Sequence, residues 1–325
     1  MPEENIEKNN RVIDYVDLMF VGAVAFFLIA SVGALSLIRG DKNNETSSAT
    51  TENVNEIRIQ TPFEALELEA RSVFVWDINN KKELYSKNAD APLPLASLTK
   101  IMTALTAYEL TSESTVLTIE KEYLLQEGDT GLLSNEKWSI KNLLDLTLLS
   151  SSNDGAFAVA SAIGAATALN TDTPESTPRE SFIHSMDKRA TALGFSSLHF
   201  NNETGLDIGI VEAGGYGSAK DIAKLLEYTL LHAPHLLEAT KYDLLPITSL
   251  NETTHYVKNT NALVAHVPGL IASKTGYSEL AGGNLVVAFD AGLGRPIIIS
   301  VLGSSYEGRF VDMEKLISAT MKTLR

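Results

Sequence analysis

The sequence predicts a mixed α/β body preceded by one transmembrane helix. Strand-like segments appear near residues 71–86 and again at 285–303, while the residues between carry helical apolar spacing. Upstream, the 21 residues from Leu18 to Ile38 contain no charge. Hydrophobic residues make up 44% of the 325, enough for a sizeable core, so wholesale disorder is excluded.

The N-terminal elements come first. Residues 1–17 form a short tail. As a helix, Leu18–Ile38 is roughly 31 Å long, enough to cross a bilayer, and it has no polar face that would suit a core helix. The alternative is a cleaved signal peptide, with small residues near Ala34 and Ser36. Against it stand the acidic flank (Glu3, Glu4, Glu7, Asp14, Asp17) and the length of the apolar run, so a retained anchor is expected. Lys8 and Arg11 before it balance Arg39 and Lys42 after it and leave its orientation undecided. Residues 39–61 are polar, rich in Ser, Thr and Asn, and read as a flexible linker of about 25 Å root-mean-square span.

The body is expected over 62–325. Arg71–Ile78 and Glu83–Ser86 read as a hairpin, after which Pro92 and Pro94 stop any strand. Helices are expected at Leu98–Leu110, Ile140–Leu149, Ala156–Leu169, Arg179–Leu193 and Ala219–Leu231, forming a helical subdomain. Strands return at Leu285–Asp290 and Pro296–Gly303, and Val311–Leu324 closes the chain as an amphipathic helix. Trp76 and Trp138 are expected in the core or at its edge.

Composition narrows the chemistry. With 26 basic and 41 acidic residues the net charge is −15, which offers nucleic acid no global attraction and leaves any anionic substrate to local positive charge. No cysteine is present, which excludes disulfides, thiolate metal sites and a cysteine nucleophile. The six histidines are scattered, with no H-E-x-x-H pair, so no metal site is expected. Neither a G-x-S-x-G elbow nor a Gly-rich phosphate loop occurs, and no cofactor is expected.

Three short elements remain. Ser97-Leu98-Thr99-Lys100 places a hydroxyl and an amine on one face at a helix start, where unpaired N–H groups can also stabilise an oxyanion. The amine can take the hydroxyl proton if burial or a neighbouring cation keeps it neutral. S-x-x-K also starts at Ser134 and Ser185, but in polar and charged surroundings. Ser97 instead follows the PLPLA breaker and precedes an apolar helix that would bury the pair. Ser151-Ser152-Asn153 joins two helices, where Ser and Asn also serve as ordinary caps. Lys274-Thr275-Gly276 occurs once, before AGGNLVVAF, and suits a strand edge that a substrate backbone approaches closely.

Together and in this order, the three elements resemble those of the D-alanyl-D-alanine carboxypeptidases, the low-molecular-mass penicillin-binding proteins. The resemblance runs from about Leu66 onward through ASLTKIMTALTAYEL, LLSSSNDGA, LHFNNETGLD, GYGSAKDIAKLL and SKTGYSELAGGNLVV. It implies the serine β-lactamase and penicillin-binding transpeptidase-like fold: a five-stranded antiparallel sheet covered by helices, with a helical subdomain and the site between them.

The resemblance also implies roles. Ser97 would be the acyl-accepting nucleophile and Lys100 its base. Ser151 would relay a proton to the leaving amine, Asn153 bind the substrate carbonyl, and Lys274 add positive charge beside Ser151. Thr275 would contact the terminal carboxylate beside Gly276, the N–H groups of Ser97 and Tyr277 would form the oxyanion hole, and Arg309 would pair with that carboxylate. The implied activity is removal of the terminal D-alanine from peptidoglycan pentapeptides, outside the cytoplasm of a bacterium, with β-lactams as covalent inhibitors. Cleavage of cross-links by a D,D-endopeptidase and a non-catalytic penicillin-binding wall sensor are the alternatives. Class A β-lactamases need a glutamate followed four residues later by Asn; the body has none. Two departures are expected to matter. Ser152 stands where the family usually has Gly, which would narrow the cleft. The β-rich C-terminal domain and terminal amphipathic anchor of many relatives are missing, and the N-terminal helix would replace that anchor.

Overall fold

Alternating side chains in Ser72–Asp77 (β1) send Val73 and Val75 to one face of a sheet and Phe74 to the other. The computed structural model that shows this describes residues 61–128, 130–168 and 177–325. The tail, the apolar run and all but the last residue of the linker lie outside them. Among the described residues, no helix is long and apolar enough to cross a membrane.

β1 pairs with Lys82–Lys87 (β2) in the expected hairpin. Leu270–Ser278 (β3), Gly282–Asp290 (β4) and Pro296–Ser304 (β5) complete an antiparallel sheet in the order β3-β4-β5-β1-β2. The first strand therefore lies beside the last, with Val75 opposite Ile299. Both faces are covered. Leu285, Val287, Ile297, Ile299 and Val301 pack with Phe310, Met313 and Leu316 of the final helix. Val286, Ala288, Ile298 and Leu302 face the remaining helices, whose core is continuous with the sheet's inner face. Each such side chain contributes about 1.5–3 kcal/mol when fully buried.

The helices are Thr99–Leu110 (α1), Ile140–Ser150 (α2), Asn153–Ala168 (α3), Pro178–Ala192 (α4), Ala219–His232 (α5) and Gly308–Thr323 (α6). Their starts follow capping chemistry. The Ser139 hydroxyl accepts from Asn142 N–H, Ser218 from Asp221 N–H, and Thr177 with Glu180 closes a capping box ahead of Pro178. Trp138 is fully buried, and the Lys224 ammonium lies 2.9 Å from the centre of the half-buried Trp76 ring.

One local expectation is corrected. Leu93–Pro94 does form a two-residue strand, opposite Tyr216 and Gly217, despite Pro92 and Pro94. A proline tolerates an edge where its missing N–H is not needed, and the ladder resumes with Leu95 N–H donating to the Gly215 carbonyl at 2.9 Å.

Candidate active site

The proline-rich segment ends in a forced bend. Ala96 has φ +48°, a left-handed conformation costly for any residue with a Cβ, and it opens the 3₁₀ turn Ala96–Leu98 that leads into α1. Ser97 is thereby lifted out at the start of the helix, half-buried, with Lys100 one turn on and fully buried. Ser134 and Lys137 of the second S-x-x-K string are both exposed. In the third, Lys188 is exposed and Ser185 bonds its own helix through the Ser181 carbonyl.

Lys100 Nζ lies 2.9 Å from Ser97 Oγ, 2.6 Å from Asn153 Oδ1 and 2.7 Å from the Thr204 carbonyl oxygen. The two carbonyl oxygens can only accept. A neutral amine offers two N–H donors and one lone pair, so donating to both carbonyls leaves the lone pair for the Ser97 hydroxyl proton. Burial favours that neutral form: it pulls the Lys100 pKa down to about 7, against the opposing charge of Glu203.

The second motif sits at the joint between α2 and α3. Ser151 closes α2 in the left-handed conformation (φ +63°), and its Oγ accepts from Lys274 Nζ at 2.8 Å. Asn153 opens α3, where its Nδ2 donates to the Glu127 carbonyl at 2.6 Å, which leaves Oδ1 for Lys100. Ser152 does not narrow the cleft. Its side chain is fully buried, paired with the Thr130 hydroxyl, and accepts from Gly155 N–H as an N-cap. The capping explanation for this motif thus holds for its middle residue.

The third motif lies on β3, the edge strand, whose outer side carries no further strand among the described residues. Lys274 is buried, and its Nζ also donates to the Thr275 carbonyl. Its pKa lies well below the ordinary lysine value because of burial first, then the positive charges of Lys100 and Arg309. The Thr275 hydroxyl is buried against that of Thr260. Gly276 passes so close to the turn that carries Ser97 that a Cβ would meet the Leu95 carbonyl at 2.9 Å and Ser97 N at 3.2 Å. Half-exposed Tyr277 follows.

Arg309 is not a solvated surface residue. It is 3% exposed in the first turn of α6, and its Nη1 donates to the Gly276 carbonyl at 2.8 Å. Its guanidinium carbon stands 4.3 Å from the centre of the Tyr306 ring, which meets Tyr277 edge-on. Three basic side chains, Lys100, Lys274 and Arg309, thus converge in a chain of net charge −15.

Sequence reasoning missed the loop beneath Lys100. Asn202 accepts from the N–H groups of Thr204 and Gly205 and donates to the Leu206 carbonyl, a knot that aims the Thr204 carbonyl at Lys100. The string LHFNNETGLD contains these residues, but the contact to Lys100 is made by a backbone carbonyl, which no side-chain type signals. Thr260 was missed too, and Glu127 for the same reason, since it contributes only a carbonyl.

The sheet, the helical cover and these three motifs define the mixed α/β class of the penicillin-binding proteins and serine β-lactamases. Within that class, the family model described as D-alanyl-D-alanine carboxypeptidase matches residues 58–305, and the chain belongs to that family. It is 28% identical over 258 residues to the D-alanyl-D-alanine carboxypeptidase DacF of Bacillus subtilis, covering 77% of this chain and 61% of that protein. It is 29% identical to a D-alanyl-D-alanine endopeptidase of Haemophilus influenzae, covering 67% of this chain and 69% of the relative. The crystal structure of penicillin-binding protein D2 from Listeria monocytogenes in its ampicillin-bound form superposes with a TM-score of 0.64 at 28% identity, covering 78% of this chain and 98% of that one. The chain spans about three fifths of the length of DacF.

Proposed function

We propose that this chain is a serine-type D-Ala-D-Ala carboxypeptidase that removes the terminal D-alanine from peptidoglycan pentapeptides through an acyl-enzyme on Ser97. The observation that carries this reading is Lys100 Nζ, fully buried, with two carbonyl acceptors and the Ser97 hydroxyl as its partners.

In the proposed reaction, neutral Lys100 takes the Ser97 proton as Oγ attacks the carbonyl carbon of the penultimate D-alanine. The N–H groups of Ser97 and Tyr277 hold the developing oxyanion. Ser151, polarised by Lys274, relays to the leaving amine the proton that Lys100 took from Ser97; the peptide C–N bond breaks and D-alanine departs. Water then attacks the ester carbon, its hydroxyl leaves on the tetrapeptide and its other proton returns to Ser97 Oγ. Asn153 binds the stem peptide carbonyl, and the terminal carboxylate lies toward Thr275 and Arg309. A β-lactam enters the same first half: its ring C–N bond opens and leaves an ester on Ser97. Ampicillin on the Listeria relative supports extending β-lactam binding to this chain.

The buried guanidinium behind Gly276 suits a substrate with a free carboxylate next to the scissile bond. The reading places the body outside the cytoplasm of a bacterium, tethered through Leu18–Ile38 and the linker to residue 61. It draws there on the uncharged 21-residue run and on the substrate's location.

The test is D-alanine release from a pentapeptide, together with mass spectrometry after incubation with benzylpenicillin. An adduct on Ser97 and release by the wild type, both lost in Ser97→Ala, support the reading. An adduct without release identifies a wall sensor. Cleavage of cross-linked muropeptides in preference to pentapeptides identifies an endopeptidase. N-terminal sequencing of the membrane-extracted protein tests the anchor: a start near residues 33–37 means a cleaved signal.

A further inference from the structure

Glu203 is a fully buried carboxylate with only one of its two oxygens paired among the described residues. Its Oε2 accepts from Arg179 Nε at 2.8 Å, while Oε1 is buried with no partner among the described residues. Arg179 reaches in from the first turn of α4, 38% exposed, and also stacks over the Phe157 ring at 4.9 Å. Such a carboxylate is costly unless its charge acts on something nearby.

The backbone around Glu203 is wrapped on the helix that carries the proposed base. The Glu203 carbonyl accepts from Thr103 Oγ1 at 2.7 Å, about one turn beyond Lys100 on α1. The next carbonyl, that of Thr204, accepts from Lys100 Nζ. All three hydrogen-bonding directions of Lys100 are occupied by Ser97, Asn153 and Thr204, so Glu203 makes no ion pair with it and acts through the field. That field is attractive to a proton on Lys100, and Glu203 is the charge that opposes the effect of burial there.

We propose that Glu203, clamped by Arg179, is a positioning residue for acylation: its carboxylate is the counter-charge to the Lys100 ammonium that forms when Ser97 gives up its proton. This rests on the acyl-enzyme reading above. Among the bases of the site, Lys274 interacts with Lys100 and can only oppose a second positive charge there. Glu203 supplies the opposite charge from the α4 side of Lys100, away from the leaving group. Fixed in place by Arg179 and Thr103, it requires no reorganisation as charge develops. Asp154, buried in the first turn of α3, accepts from Gln126 N–H and belongs to the loop contacts. Among the described residues, the charged groups that act on Lys100 and its counter-charge are Lys274, Glu203 and Arg179.

The experiment measures the pH dependence of benzylpenicillin acylation in the full chain, alongside D-alanine release, for wild type, Glu203→Gln and Arg179→Gln. Gln at 203 can still accept from Arg179 but carries no charge. Without the carboxylate, Lys100 holds its proton less tightly. The acid limb of Glu203→Gln is expected on the order of one pH unit lower, with a plateau rate roughly tenfold down. In Arg179→Gln the carboxylate loses its compensating cation and draws the Lys100 proton more strongly, so the limb moves to higher pH. If Glu203→Gln does not fold, the exposed Arg179→Gln variant carries the test alone. A limb that stays at its wild-type position in the folded variants, or moves the same way in both, overturns the proposal. Acylation reports Lys100 whatever the natural substrate is. A wild type that acylates but releases no D-alanine defeats the functional reading and leaves this one standing.

Discussion

Ser152 Oγ lies 2.6 Å from Thr130 Oγ1, a bond that fastens the loop before α2 to the start of α3. The same loop accepts from Asn153 through the Glu127 carbonyl. Ser152→Ala removes both this clasp and the cap on Gly155 N–H. A loss of about 1–2 kcal/mol of stability is expected from the cap. KM for the pentapeptide should rise more than kcat falls, because Asn153 loses its brace while Lys100 and Ser97 keep theirs. Urea unfolding and steady-state kinetics check this, and a variant with unchanged stability and a selective fall in kcat contradicts it.

Acylation should rise with pH through a group near 7, the value to which burial brings Lys100. The sign follows from the lone pair: below that pH the amine is an ammonium with no acceptor site for the Ser97 proton. Lys100→Arg, which stays charged, should lose the limb and roughly 10²–10⁴-fold of the rate. Stopped-flow acylation from pH 5.5 to 9 measures it; a flat wild-type profile over that range would refute the assignment.

Arg309→Ala should lower kcat/KM for a pentapeptide by on the order of tenfold to a hundredfold, the equivalent of about 1.5–3 kcal/mol for a lost charge-assisted bond. An amidated analogue, without the terminal carboxylate, should barely change. Equal losses on both substrates would instead mean that Arg309 only supports β3 through the Gly276 carbonyl.

Gly276→Ala inserts a methyl 2.9 Å from the Leu95 carbonyl and 3.2 Å from Ser97 N. Both neighbours are backbone, so the edge strand and the nucleophile turn must separate. Acylation should fall about a hundredfold, as expected for a displacement near 1 Å, with about 1–3 kcal/mol of destabilisation. Comparing acylation rates with the melting temperature separates the two effects. A variant with wild-type acylation shows that the close approach is dispensable.

Where packing alone set the pattern, the sequence was readable. β1 and β5 are short apolar runs buried on both faces of the sheet, and the helices from α1 to α5 fall within a few residues of their expected limits. α3 begins at Asn153 rather than Ala156 because the cap is Ser152, inside the motif. β3 was visible only as a motif near a strand edge: Lys274, Thr275 and Gly276 serve the site, so its apolar pattern is broken. The hairpin of Leu244–Thr248 and Thr254–Lys258 was missed because Pro246 and several exposed polar positions mask the alternation. Ser97, Lys100, Ser151, Asn153 and Lys274 are drawn together as the motifs suggested. Glu203 stayed hidden because its meaning depends on Arg179 and Lys100, distant in sequence and joined only by the fold.

Lys100 bonds across 53 residues to Asn153 and across 104 to Thr204, while Lys274 reaches Ser151 across 123. No short stretch of the chain holds a working fraction of this constellation. On the proposed chemistry, a fluorescent penicillin would be a conformational titrant: it counts only molecules in which sheet edge, helix joint and nucleophile turn have all docked. Loosening of any one of these should silence labelling while circular dichroism still reports an intact helix content. The interval between the two signals on a denaturant ramp would measure how far the site comes apart ahead of the body around it.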